Sequence, residues 1–128
     1  MDSLLHIEPR EIYPKVLFDK NNGIFEISGR SLPEDVDSFF TPVLAWLEAY
    51  AADPNEYTEF IFNFDYYNSS TVRKIVDILS LLEQIIKGKG KQVQVKWFYE
   101  DGDDVMHDNG EDFKNVIKIP IELISYTL

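Results

Sequence analysis

Three consecutive hydroxyl side chains, Ser69, Ser70 and Thr71, follow Asn68 in the middle of the chain. Such residues favour helix N-termini, where a side-chain oxygen accepts a hydrogen bond from an unpaired amide and stabilises the helix by about 1 kcal/mol. A phosphate at that position would meet free amides and the positive end of the helix dipole, and would add a charge of about −1.5 to −2. The cluster therefore suits reversible phosphorylation as well as capping, and capping alone is the commoner use.

An acidic stretch towards the carboxyl end is the second candidate for chemistry. Glu100–Asp104 and the residues around His107 are rich in the carboxylates that hard cations prefer. The spacing does not match a calcium-binding loop, because Gly110 at the sixth position places Val105, Met106 and His107 at the first three positions, where early ligands should be. We expect a solvated loop and no metal site. A small metal-dependent enzyme that uses the acidic loop near His107 is the alternative.

Other catalytic groups are scarce. The chain has two histidines, no cysteine, no Gly-x-Ser-x-Gly elbow and no glycine-rich phosphate loop after a strand. Without cysteine there is no disulfide, which agrees with a reducing compartment. We therefore predict no catalytic residue, no cofactor and no enzyme activity.

Charge narrows the choice of partner. Twelve Lys and Arg against 23 Asp and Glu give a formal net charge of −11, which repels nucleic acids and anionic membranes. The chain shows neither a membrane-length apolar stretch nor a secretory signal pattern. Its 128 residues suit a single domain, 1–128. These features predict a cytoplasmic protein that acts on other proteins.

The first part of the chain predicts two strands and a helix. Lys15–Asp19 and Ile24–Ser28 are short apolar runs on either side of an Asn-Gly turn, which is typical of a hairpin. Ser31 and Glu34 have the spacing of a capping box and indicate the start of the first helix. Pro42 lies within the apolar pattern of that helix, which indicates that the helix begins late or bends there.

The middle of the chain predicts a strand followed directly by a helix. Glu59–Tyr67 alternates, which predicts a half-buried strand whose drier face carries Phe60, Phe62, Phe64 and Tyr66. After the hydroxyl cluster, Val72–Lys87 repeats apolar residues at helical spacing and predicts the second helix. Its stripe comprises Val72, Ile75, Val76, Leu79, Leu82 and Ile86, widened by Ile78, Leu81 and Ile85. The hydroxyl cluster therefore lies at a strand-to-helix junction.

Two more strands and a short helix complete the prediction. Gln92–Glu100 alternates again, Asp103–Phe113 indicates a short helix, and Ile117–Ile121 indicates a final strand interrupted at Pro120. The predicted order is ββαβαβαβ, an α/β fold of α+β character with a mixed sheet. Because the strands are amphipathic, we expect the helices mainly on one face of the sheet and the other face wet or in contact with a partner.

Three stretches carry a family resemblance: Ile27–Glu34, Phe64–Thr71 running into Asp77–Leu79, and Trp97–Asp101 with Gly110–Phe113. Together they resemble the SiaC-like family of bacterial regulatory phosphoproteins. Each stretch alone is weak, but their order and spacing are specific, and they span nearly the whole chain. The resemblance implies a fold similar to that of STAS-like anti-sigma-factor antagonists.

The resemblance also implies a switch that a dedicated serine/threonine kinase and phosphatase control. In the family, the unmodified form binds and activates a diguanylate cyclase and thereby influences biofilm formation. The acceptor hydroxyl usually belongs to a Thr directly after the Asn, a place that Ser69 takes in this sequence. The resemblance therefore implies Ser69 as the first choice of acceptor, with Thr71 second and Ser70 third.

We predict a non-enzymatic regulatory phosphoprotein in which this hydroxyl controls the binding of a signalling partner. The hypothesis places partner contacts on the junction and on the exposed rim of the second helix, at Tyr67, Asn68, Val72, Arg73 and Val76. An antagonist that sequesters an anti-sigma factor or a similar kinase-like partner is the alternative within the same class.

Overall fold

The computed structural model describes residues 2–128 as six strands and three helices in the order βββαβαβαβ. The strands are β1 (Leu4–Ile7), β2 (Lys15–Asp19), β3 (Ile24–Ser31), β4 (Tyr57–Tyr67), β5 (Gln92–Glu100) and β6 (Ile121–Tyr126). The helices are α1 (Val36–Ala52), α2 (Ser69–Lys89) and α3 (Asp104–Val116). The predicted fold class is confirmed, and β1 is an additional strand before the predicted hairpin. Within residues 2–128, no helix is both long and apolar enough to cross a bilayer.

The strands form one mixed sheet in the order β1-β2-β3-β4-β5-β6. The pairs β1–β2 and β2–β3 are antiparallel, whereas β3 to β6 run parallel to one another. Each helix connects two neighbouring parallel strands, so right-handed crossovers place all three helices on the same face. The carboxyl ends of β3 to β6 meet at one edge of the sheet, which we call the carboxyl edge. The junction of β4 and α2 lies there.

Aromatic side chains fill the core between the sheet and the helices. The Trp46 and Tyr50 rings of α1 stack 5.5 Å apart, and Phe25 lies 4.8 Å from Tyr50. Phe62 and Trp97 pack 5.5 Å apart beneath the other helices. The opposite face of the sheet is only partly buried. It carries both apolar and charged side chains, and the charged ones form the ion pairs Lys15–Glu26 and Lys96–Glu59.

The first helix begins differently from the prediction. Its N-cap is Asp35, whose carboxylate accepts the Ser38 amide at 3.1 Å. Ser31 instead ends β3 and is fully buried, so the predicted capping box is wrong. Pro42 lies in the second turn of α1, and the late helix start is therefore wrong as well.

A β-bulge changes the phase of β4 just before the hydroxyl cluster. Gly29 of β3 pairs with Phe64 and Arg30 pairs with Tyr66, so Asp65 is an extra residue on β4. An extra residue reverses which side chains face the core from that point on. Tyr66 is accordingly 55% exposed, and the prediction that it faces the core is wrong.

The last two elements also shift relative to the prediction. Helix α3 continues to Val116, and β6 begins only at Ile121, so the predicted strand residues Ile117 and Ile119 precede the strand. Pro120 lacks an amide hydrogen for the ladder, but its carbonyl accepts the Val95 amide at 2.9 Å. The ladder of β6 therefore starts after the proline.

Candidate functional site

The hydroxyl cluster opens α2 immediately after β4, as predicted, but its three members differ in exposure. Asn68 is the N-cap residue, with extended backbone angles of φ −89° and ψ 171°. Ser69 and Ser70 are exposed on the first turn. Thr71 is 0% exposed. Only the two serines therefore present a hydroxyl to an enzyme acting on the folded chain.

The Asn68 side chain binds hydroxyls and not helix amides. Its Oδ1 accepts hydrogen bonds from Ser70 Oγ at 2.8 Å and from Thr71 Oγ1 at 3.0 Å, and it makes no side-chain cap. An amide oxygen has two lone pairs, and these two hydroxyls occupy both. The Ser69 hydroxyl takes no part in this set of hydrogen bonds.

Thr71 ties the start of α2 to the end of β3. Its Oγ1 lies 2.9 Å from Ser31 Oγ and 3.3 Å from the Ser31 carbonyl oxygen, which also accepts the Asn68 amide at 3.1 Å. Both Ser31 and Thr71 are fully buried. Because a buried polar group without a partner is costly, these contacts fix the junction in place. Thr71 is thus part of the structure that holds Ser69.

Carboxylates concentrate at the carboxyl edge. The pKa of Tyr126 is raised mainly by burial and further by the negative charges of Asp65, Glu100 and Asp103. The first turn of α2 carries no acidic residue. Arg73, one turn further along, forms an ion pair with Asp77 at 3.4 Å. The carboxyl edge thus carries several negative charges around Tyr126, together with one exposed positive charge on Arg30, which pairs with Tyr66.

The predicted partner contacts do not all reach the surface. Val72 is 37% exposed, Arg73 is exposed, and Asn68 and Val76 are partly buried. Tyr67 is only 9% exposed and contributes little to the surface. The exposed aromatic side chain beside the junction is Tyr66, which the strand pattern assigns to the core. The alternation within β4 does not show that Tyr66 is exposed and Tyr67 buried, because the bulge arises from pairing with β3.

Tyr67 instead anchors the junction to the core. Its ring meets Phe64 and Trp97 edge-on, with centroids 5.2 Å and 6.3 Å away. Burial raises the pKa of Tyr67 to about 12, the charge of Asp112 adds to the rise, and a hydrogen bond with Asn109 opposes it. The neutral phenol is therefore the form that the fold favours.

We expect the Tyr67→Phe variant to lose less stability than the wild type between pH 10 and 12. The unfolded chain releases the Tyr67 proton near pH 10, whereas the folded chain holds it to about pH 12. In the wild type, Tyr67 therefore leaves the free energy of unfolding unchanged below pH 10 and lowers it above pH 10, by roughly 1–2 kcal/mol after allowance for solvent screening. The Tyr67→Phe variant lacks the phenol and does not have this loss. Denaturant unfolding at pH 9 and pH 11 measures the difference. Equal losses in both proteins would contradict it.

The acidic segment Glu100–Asp104 contains the N-cap of α3. The Asp103 carboxylate caps that helix by accepting the Met106 amide at 3.1 Å. The His107 ring lies 5.3 Å from the Tyr99 ring and its Nδ1 lies 3.1 Å from Asp108. Across residues 2–128, no group of three or more His, Asp or Glu side chains is arranged to hold a metal ion. The geometry thus gives the metal-enzyme alternative no ligand set.

Solved structures of SiaC from Pseudomonas aeruginosa share this fold. One matches with a TM-score of 0.88 at 28% identity, covering 98% of this chain and 100% of that chain. Apo-SiaC matches with a TM-score of 0.87 at 30% identity, covering 96% and 99%. A structure of the diguanylate cyclase SiaD in complex with its activator SiaC contains a third match, with a TM-score of 0.88 at 28% identity, covering 95% and 99%.

Sequence comparison agrees with the structural likeness. An uncharacterized protein, PA14_02130, of Pseudomonas aeruginosa strain UCBPP-PA14 is 29% identical over 119 residues, which are 93% of this chain and 94% of the relative. The profile described as SiaC family regulatory phosphoprotein matches residues 7–126, which include the whole junction of β4 and α2. The resemblance is confirmed, and with it the prediction of a regulatory protein in place of an enzyme. The chain belongs to the SiaC family of regulatory phosphoproteins.

Proposed function

We propose that this protein is a phosphorylation-controlled activator of a diguanylate cyclase. In the unmodified form it binds and activates the cyclase, and phosphorylation of Ser69 by a serine/threonine kinase releases the cyclase until a phosphatase removes the phosphate. Two findings support the partner: the chain belongs to a family of regulatory phosphoproteins, and a SiaC of the same fold is the activator in a complex with the cyclase SiaD. The same findings favour a cyclase over an anti-sigma factor.

The exposure of Ser69 is the observation that carries the proposal for the acceptor. Ser69 is exposed on the first turn of α2 and outside the hydrogen bonds of Asn68. Thr71 is fully buried against Ser31, so a kinase would have to unfold the junction to reach it. Ser70 is exposed but already donates to Asn68. The order of acceptors that this geometry supports is Ser69, then Ser70, then Thr71.

Two exposed apolar side chains, Tyr66 and Val72, each lie three positions from the acceptor along the chain. We define the switch surface as Tyr66, Asn68, Ser69, Val72, Arg73 and Val76. Tyr66 and Val72 are among the large apolar residues that the fold leaves exposed. Covering them with a partner stabilises a complex by about 25 cal/mol for each Å² of apolar area removed from water. A dianionic phosphate on Ser69 would have to lose its hydration if a partner covered the first turn of α2.

Phosphate-affinity electrophoresis after incubation with the native kinase and Mg·ATP tests the acceptor. We expect a retarded band for the wild type and for Ser70→Ala, and a band weakened about two- to tenfold for Ser69→Ala. Ser70→Ala is the matched control because it removes a neighbouring exposed hydroxyl from the same helical turn. A retarded band of wild-type intensity in Ser69→Ala would move the modification to another residue.

A further inference from the structure

The three hydroxyls of the cluster are chemically similar but are held differently. Ser70 and Thr71 both donate to the same atom, Asn68 Oδ1, at 2.8 Å and 3.0 Å. Ser69, which directly follows Asn68, is exposed and outside this pair of bonds. Two adjacent exposed serines are thus distinguished by a single side-chain oxygen.

We infer that Asn68 is a specificity-determining residue, which directs phosphorylation to Ser69 by occupying the hydroxyl of Ser70. This inference rests on the proposed function and adds a mechanism for choosing between two exposed acceptors. Asn68 acts on the acceptors and not on the kinase, because its oxygen accepts the hydrogen bond of the Ser70 hydroxyl that the kinase would have to deprotonate.

Kinase chemistry explains why an occupied hydroxyl is the poorer acceptor. A catalytic carboxylate of the kinase accepts the hydroxyl proton as the γ-phosphoryl group of ATP moves to the hydroxyl oxygen and ADP leaves. The Ser69 hydroxyl can turn to that carboxylate freely. The Ser70 hydroxyl must first break its bond to Asn68, which corresponds to a two- to tenfold lower rate for a typical hydrogen bond.

Thr71 is excluded by a separate cause. Its hydroxyl is fully buried and contacts both Oγ and the carbonyl oxygen of Ser31, whether or not Asn68 is present. Removing the Asn68 side chain also leaves the main-chain bond from the Asn68 amide to the Ser31 carbonyl, at 3.1 Å. An Asn68 substitution therefore frees Ser70 while the junction stays attached to β3.

The test is site-resolved mass spectrometry of the wild type, Asn68→Ala and Asn68→Asp after limited phosphorylation by the native kinase. We expect the ratio of phosphate on Ser70 to phosphate on Ser69 to rise two- to tenfold in Asn68→Ala. Asn68→Asp should keep the ratio at or below the wild-type value, because its carboxylate accepts from Ser70 at least as strongly as the amide oxygen. Any general effect of the new charge on the kinase cancels in this ratio. Thr71 should stay unmodified throughout.

A second pair of variants isolates Ser70. Ser69→Ala should take phosphate slowly on Ser70, and Asn68→Ala with Ser69→Ala should take it there about two- to tenfold faster. Circular dichroism melts of the same proteins check that the fold is kept. An unchanged ratio in a folded Asn68→Ala, with the wild type modified on Ser69, would overturn this inference alone. A wild type modified on none of the three hydroxyls would overturn the proposed function and this inference together.

Discussion

Phosphorylation of Ser69 is expected to weaken the binding of this protein to the proposed diguanylate cyclase partner by about 100-fold or more, or about 3 kcal/mol. The phosphate brings a charge of about −1.5 to −2 to the first turn of α2, one turn before Val72, whose exposed apolar surface must lose its water when a partner covers it. Burying that charge without a new cation is costly. The one nearby arginine on α2, Arg73, already pairs with Asp77.

Titration calorimetry with the purified cyclase measures the effect on three proteins: the unmodified chain, a chain with phosphoserine installed at position 69 during translation, and Ser69→Ala. Ser69→Ala should bind within about threefold of the unmodified chain, since it removes only an exposed hydroxyl. That control separates the effect of the added charge from the loss of the serine. Equal affinities of the phosphorylated and unmodified chains would contradict the predicted release.

Residue patterns were sufficient to predict most of the fold, because one face of each element packs against the core. Period-two alternation in β4 and β5 and helical spacing in α2 follow from that burial. The β4 pattern fails at Asp65, where an extra residue is inserted opposite β3. Strand β1 has only four residues and pairs with β2 alone, so its alternation is too short to stand out.

The candidate site was predictable in position but not in detail. Consecutive cap-forming residues mark the start of α2, and the sequence alone shows them. The burial of Thr71 depends on Ser31, which is 40 positions away in the sequence and reaches Thr71 only because β3 pairs with β4. The spacing of Ser31 and Glu34 matches a capping box, so the sequence predicts a helix start where Ser31 in fact ends β3. The ranking of the three hydroxyls therefore needed the tertiary structure.

The close approach of α3 to the sheet depends on Gly110. A β-carbon at this position would lie 2.6 Å from Trp97 Cδ1 and 2.6 Å from Leu123 Cδ2. Trp97 cannot move aside easily, because it is 2% exposed and its Nε1 donates to the Met106 carbonyl at 3.0 Å. The same ring packs against Tyr67 at the end of β4. Gly110 thus lets α3 cover the part of the core that supports the junction.

Gly110→Val is therefore expected to lower the free energy of unfolding by about 3 kcal/mol, the upper end of the usual cost of overpacking, and to lower the Tm by roughly 10 °C. Gly88→Val is the matched control. Gly88 is also helical, is exposed, and has nothing within 4 Å of an added β-carbon. Its substitution should change stability by only a few tenths of a kcal/mol, since valine is slightly better than glycine in a helix. Guanidinium unfolding followed by tryptophan fluorescence compares the two variants, and equal stabilities would show that α3 can move away from Trp97 without loss.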